Sequence, residues 1–192
     1  MSNAIFDYPL AQAQEIAQKY IQVLSPYTTR IEIAGSVRRC KDVVHDIEFV
    51  AVPITEESRD MFGSVISTSS ILDAEANRLA ASLGAILKQN GPKKKKFGLM
   101  EGLDLELYLV TPPAQWGVIM ALRTGPWQYS NQLVTAKKWM TKEGRPGLLP
   151  SWLKSEDGCL VHRETGTEYP TPEEADFFKI CELEYVHPRD RK

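Results

Sequence analysis

The sequence has no long apolar run: no stretch approaches the roughly 18 residues that a membrane-spanning helix needs. Its opening residues, MSNAIFDYPL, carry neither the basic start nor the apolar centre of a secretory leader. Cysteine is scarce. Cys40, Cys159 and Cys181 are odd in number and far apart, with no CxxC pair and no Cys/His spacing of a zinc site. Reduced packing thiols are therefore expected, in an intracellular protein that is cytoplasmic if its source is bacterial or viral. Internal repeats and low-complexity tracts are also missing. So is any large excess of one charge sign: the net charge of −2 argues against a protein that holds nucleic acid by bulk electrostatics.

With 43% hydrophobic and 25% charged residues, the 192-residue chain falls in the globular range, long enough for one sizeable core or two small ones. The charge is unevenly placed. Residues 93 to 145 carry a net of +5 and the remainder −7, so a local basic surface on an acidic body is expected.

Apolar residues at helical spacing from Leu10 to Leu24 predict a first helix, with Pro9 in its first turn and Ser25-Pro26 at its end. RIEIAG reads as a short strand breaking at Gly35, and Val43 to Val52 as a second strand stopped by Pro53. Residues 70 to 87 read as a helix opened by Ser70 or Asp73. A hairpin-like segment follows, with a turn at Asn90-Gly91-Pro92, a lysine run on a polar stretch, and the alternating strand LDLELYLV. Pro112-Pro113 marks the expected boundary between two subdomains, 1–112 and 113–192. Beyond it lie helical patterns at about 115 to 123 and 128 to 142, a hairpin around Gly158 and Gly166, and a last helix from Thr171.

Side chains alternate across a strand, so Asp46 and Glu48 point to one side, about 6 to 7 Å apart along the backbone. Asp104 and Glu106 repeat the pattern. If the two strands are neighbours, these acids converge. Two readings of such a face stand: the solvated side of a sheet, or a set of hard oxygen ligands for magnesium or manganese. Just upstream, Gly35-Ser36-Val37-Arg38-Arg39 combines a glycine turn, a hydroxyl and two guanidiniums, a set suited to phosphate oxygens. Anion donors beside a dication site point to a triphosphate.

Taken together, AGSVRR, HDIEFV, LDLEL, RTGPWQYSN, PTPEEADFF and the terminal HPRDR resemble, in the same order, the motifs of the family X DNA polymerases, which are polymerase-beta-like nucleotidyltransferases. The likeness runs from the first helix to the C-terminus. It implies an α+β fold: a nucleotidyltransferase palm, a mixed β-sheet with helices on it, and a small C-terminal α/β lobe that closes over the nucleotide. It makes Asp46, Glu48 and Asp104 the catalytic ligands of two Mg2+ ions, with Mn2+ as a substitute. Gly35, Ser36 and Arg39 become binders of the triphosphate, with Arg38 beside them, and Thr124, Gly125 and Trp127 pack its sugar and base.

The implied activity is addition of deoxynucleotides to a primer 3′-hydroxyl with release of pyrophosphate, on primer-template or gapped DNA, by a monomer filling short gaps in repair. Untemplated tailing of an RNA or DNA end, and a catalytically weak nucleic-acid-binding module, are the alternatives.

Some features depart from the family pattern. Glu48 stands where Asp is usual, which implies a slower enzyme or one that favours manganese. His45 precedes Asp46 in place of a glycine and is expected on the far side of the strand. Glu106 is expected to be a solvated neighbour of the ligands. The family's N-terminal lyase and helix-hairpin-helix modules are not expected here, so Lys93, Lys94, Lys95 and Lys96 are the expected DNA contacts. Of the tryptophans, only Trp127 is expected to meet a base.

Overall fold

The computed structural model describes residues 7–192. Along the chain, β1 (Tyr8–Pro9) leads into α1 (Leu10–Leu24) and β2 (Thr28–Ile33). Next come the single helical turn α2 (Gly35–Arg38), β3 (Val43–Val44), β4 (Asp46–Pro53), β5 (Thr55–Arg59) and β6 (Val65–Ser70). Then follow α3 (Ile71–Ser82), β7 (Ile86–Asn90), β8 (Lys94–Gly98) and β9 (Asp104–Leu109). The remainder forms α4 (Trp116–Thr124), α5 (Trp127–Val134), β10 (Leu153–Glu156), β11 (Cys159–His162), β12 (Glu168–Tyr169) and α6 (Glu174–Ile180). The fold is thus mixed α+β. No helix among the described residues is long and apolar enough to cross a membrane.

The chain divides into two units. The first comprises the described residues up to Ile33 together with Val43–Leu109, and the second comprises Ala34–Asp42 with Val110–Lys192. The boundary expected after Pro112 therefore lies three residues earlier, and the GSVRR turn, expected in the first subdomain, belongs to the second unit.

The first unit is built on a five-stranded sheet of order β2-β4-β9-β8-β7, in which β4 and β9 run parallel and the other neighbours antiparallel. One face is apolar. Ile47, Phe49 and Ala51 of β4 and Leu105, Leu107 and Leu109 of β9 pack with Phe97 under α1 and α3. In α1 the apolar positions Ala13, Ile16, Ala17, Tyr20 and Leu24 fall on one stripe and are all buried. Each fully buried Leu or Phe here contributes about 1.5–3 kcal/mol. Helix α3 starts where Ser70 Oγ accepts the Leu72 N–H at 3.1 Å, capping an orphan donor.

The segment from 54 to 69, polar and without apolar alternation, forms the β5–β6 hairpin. It is exposed nearly throughout, with Met61 and Phe62 at its tip.

In the second unit, α4, α5 and α6 pack with the antiparallel sheet β10-β11-β12 around Val118, Leu133, Leu153, Leu160 and Phe177. Helix α5 ends at Val134, eight residues short of the expected limit, and the chain from Thr135 to Leu149 forms a loop. Helix α6 opens on a capping box between Glu173 and Asp176.

Candidate functional site

The sheet register answers whether the two acidic pairs meet. Parallel pairing sets Asp46 opposite Asp104 and Glu48 opposite Glu106, and neighbouring strands lie about 4.8 Å apart. With their side chains on the face away from the apolar core, four carboxylates share one small area at the centre of the sheet. Burial pushes the Asp46 carboxyl up, and the nearby Glu106 and Asp104 push it further, against the opposing pull of Lys96 and His45.

The lysine run contributes to this same face. β8 lies antiparallel beside β9, placing Lys96 opposite Glu106 and Lys94 opposite Tyr108. Lys96 Nζ bridges Asp104 Oδ2 and Glu106 Oε1, both at 2.9 Å. Lys94 pairs with Glu106 and lies over the Tyr108 ring, 4.9 Å from its centroid. Lys88, from β7, reaches Asp104 across Gly98, where a Cβ would lie 2.6 Å from the lysine's Cε.

The effect on the acids is large. Although burial alone would push Glu106 up, Lys94, Tyr108 and Lys96 outweigh it and bring its carboxyl down to about 2. Asp104 is likewise held below the usual aspartate value by Lys88 and Lys96, against the upward push of burial.

Two expectations need correction here. Glu106 is not a solvated neighbour: it is buried and bonded to Lys94, Lys96 and Tyr108. Nor do the four lysines form an open patch for DNA. Alternation sends Lys95 to the opposite face, where its fully buried ammonium is bonded to Asp73 and Asn90, and turns Lys94 and Lys96 onto the acids. Lys93, just before β8, accepts the Leu109 N–H at its carbonyl. His45 is exposed and lies 3.3 Å from Asp7.

Among the described residues, no three acids, histidines or cysteines are arranged to hold a metal ion. The donor set nevertheless fits one chemically. Asp46, Glu48 and Asp104 offer only hard oxygens, and the Asp46 carboxyl is raised first by burial and then by its acidic neighbours Glu106 and Asp104. The lysines that cover Asp104 stand on long stems with side chains 39% and 29% exposed.

The second unit gathers the other predicted residues. Gly35 has φ +60°, a conformation that suits glycine at the mouth of the turn. Ser36 Oγ is buried with no hydrogen-bond partner among the described residues, in a segment whose composition suits an anion. Arg39 donates to the Thr124 carbonyl and Arg38 to the Thr124 hydroxyl. Gly125 follows with φ +59° and ψ −156°, a region essentially restricted to glycine, and a Cβ there would lie 3.1 Å from Arg39 Nη1. Trp127, first residue of α5, is 57% exposed. Gly35, Ser36, Arg38, Arg39, Thr124 and Gly125 thus converge, with Trp127 at their edge.

Arg38 has a second partner that spacing alone could not disclose. Its Nη1 and Nη2 donate to Glu174 at 3.0 and 2.8 Å. Glu174 also accepts from Arg191 Nη1 at 2.8 Å and from the Tyr185 hydroxyl at 3.0 Å. Arg191 is fully buried, with Tyr129, Phe178 and Tyr185 rings 5.1 to 5.9 Å from its guanidinium carbon. Its Nη2 has no hydrogen-bond partner among the described residues, and these ring faces supply the compensating attraction. Burial pushes Glu174 up, but Arg38 and Arg191 prevail and hold it below the usual glutamate value.

No known family model matches the chain, and no curated protein matches it.

Proposed function

We propose that the chain is a nucleotidyltransferase of the family X DNA polymerase type, adding nucleotides from triphosphates to a primer 3′-hydroxyl with release of pyrophosphate. The observation that carries this reading is the register of β4 on β9, which pairs Asp46 with Asp104 and Glu48 with Glu106 on one face. A palm of this type is supported by the mixed five-stranded sheet with α1 and α3 on its apolar face.

Asp46, Glu48 and Asp104 are the residues that would hold two magnesium ions, with manganese as a substitute. Bound ions of this kind polarise the α-phosphate and ease ionisation of the attacking hydroxyl. Asp104 would accept the hydroxyl proton, which requires Lys88 and Lys96 to release its oxygens. Ser36 Oγ and the backbone at Gly35 would donate to the phosphate tail, and Arg39 would add charge to it. Arg38, engaged by Glu174 and Thr124, would position the turn. Gly125 would leave room for the sugar and Trp127 would offer a ring to the base.

The ion pairing of Asp104 by Lys88 and Lys96 favours a second reading, a nucleic-acid-binding module with little or no transfer. A labelled primer, with and without template, offered each deoxynucleotide or ribonucleotide with magnesium or manganese, separates the possibilities. Templated extension supports the polymerase reading, untemplated tailing a terminal transferase, and no extension the binding module. Asp104→Asn should lower turnover about 10²- to 10⁴-fold while nucleotide binding persists. Retained turnover in that variant removes Asp104 from the chemistry.

A further inference from the structure

With Lys94, Lys95 and Lys96 committed to acids, the basic surface must be sought elsewhere, and the loop that follows α5 supplies one. Lys137, Lys138, Trp139, Met140 and Lys142 are all exposed. Trp139 is 62% and Met140 64% exposed, an unusual placement for a large aromatic side chain in the middle of an ordered loop. Among the described residues, Lys137, Lys138 and Lys142 form no ion pair, and Lys138 Nζ lies 5.7 Å from the Trp139 ring centroid. From Ala136 to Gly147 the chain carries three lysines and one arginine against the single acid Glu143.

The loop's backbone is firmly bonded. Lys137 N donates to Leu149 O at 2.7 Å, Trp139 N to Ala136 O at 2.8 Å, Gly147 N to Trp139 O at 2.9 Å and Thr141 N to Arg145 O at 2.8 Å. Gly147 closes the loop so tightly that a Cβ there would lie 2.4 Å from the carbonyl oxygens of Thr135 and Ala136. The ring therefore projects from a fixed frame. Asn131, Val134, Thr135, Thr141 and Lys142 line a hollow of about 270 Å³ that mixes two hydroxyls, an amide and an ammonium with apolar surface.

We propose that this loop is a binding surface for a single strand of nucleic acid, with Trp139 as a stacking platform and Lys137, Lys138 and Lys142 as phosphate contacts. An exposed ring with Lys138 over it, in a loop that also carries Lys137 and Lys142, complements a polyanion with stackable bases, and it does so without sequence preference. An anionic lipid surface would also draw the lysines, but one tryptophan and one methionine give little apolar area to insert. The choice of nucleic acid rests on the transferase reading above, whereas the exposed surface itself does not.

The test is fluorescence anisotropy of a labelled oligothymidylate of about 12 nucleotides with the full chain, without nucleotide or divalent metal. Trp139→Ala should weaken binding about 10-fold, and Trp139→Phe should retain most of the affinity. Replacing Lys137, Lys138 and Lys142 with alanine should make the slope of log affinity against log salt shallower by about 2. All these side chains point to solvent, so unchanged thermal melts should accompany the losses. Either the Trp139→Ala or the triple-lysine variant behaving as wild type overturns the proposal. So does a wild-type chain that ignores the oligonucleotide but binds anionic vesicles, or that self-associates through Trp139. Primer extension is scored separately. Strand binding through Trp139 without extension keeps this surface and removes the transferase reading, and extension with Trp139-independent binding does the reverse.

Discussion

Asp104 and Glu174 are each gripped by two basic side chains, but solvent reaches the two clusters very differently. On the sheet face, Lys88 and Lys96 meet Asp104 with their own side chains 39% and 29% exposed. In the second unit, Arg191 is fully buried and Glu174 nearly so. Exposed ion pairs contribute only about 0–1 kcal/mol, so an ammonium on a flexible stem can yield its place to another cation at little cost. A planar guanidinium held by two bonds and faced by rings cannot leave without stranding its partner in a dry interior. Similar charges thus make an exchangeable surface in one place and a fixed strut in the other.

The difference can be broken by mutation. Glu174→Gln should destabilise the protein by about 3–5 kcal/mol, read by urea unfolding, because Arg38 and Arg191 lose the charge that compensates them. A loss below 1 kcal/mol would erase the distinction between strut and surface.

Acid titration sharpens the contrast. Glu174, Glu106 and Asp104 have folded-state values below their ordinary ones, so the stability they contribute is complete above the unfolded range near pH 4 to 4.5. It is lost as the pH falls through the folded values, down to about 2 for Glu106. The urea midpoint should therefore fall between pH 4.5 and pH 2, and Glu174→Gln should flatten that limb. An identical limb in the variant would mean that Glu174 carries none of it.

The smallest effect has the opposite sign. Asp46 is raised by burial and by its acidic neighbours, so its charge opposes folding at neutral pH. Asp46→Asn should raise the melting temperature by on the order of 2 °C even as it removes a proposed metal ligand. A lower melting temperature would show that Asp46 is already well compensated in the metal-free protein.

Much of this was legible in the sequence. Helical spacing located α1, and the Asn90-Gly91-Pro92 turn located the β7–β8 hairpin. Strand alternation put Asp46, Glu48, Asp104 and Glu106 on common faces, which the register then joined. The same alternation rule, applied to Lys94, Lys95 and Lys96, would have turned the middle lysine inward; four like residues in a row hid a period of two that apolar residues normally reveal. The β5–β6 hairpin gave no signal because it buries almost nothing. The extent of α5 was misread because apolar spacing continues to Trp139 after the chain has turned at Thr135 to bond Leu149. Glu174 lies 136 residues from Arg38, and no local pattern ties two such positions together.

The nine residues Ala34–Asp42 belong to one unit although both their flanks belong to the other. No single cut in the gene would consequently leave both units whole on separate fragments. An expressed fragment beginning at Val110 would carry Glu174 and Thr124 but would have lost Arg38, leaving a dry carboxylate short of one counter-charge. Isolating the C-terminal half for crystallisation or labelling calls for a permuted chain, with the GSVRR peptide spliced back on.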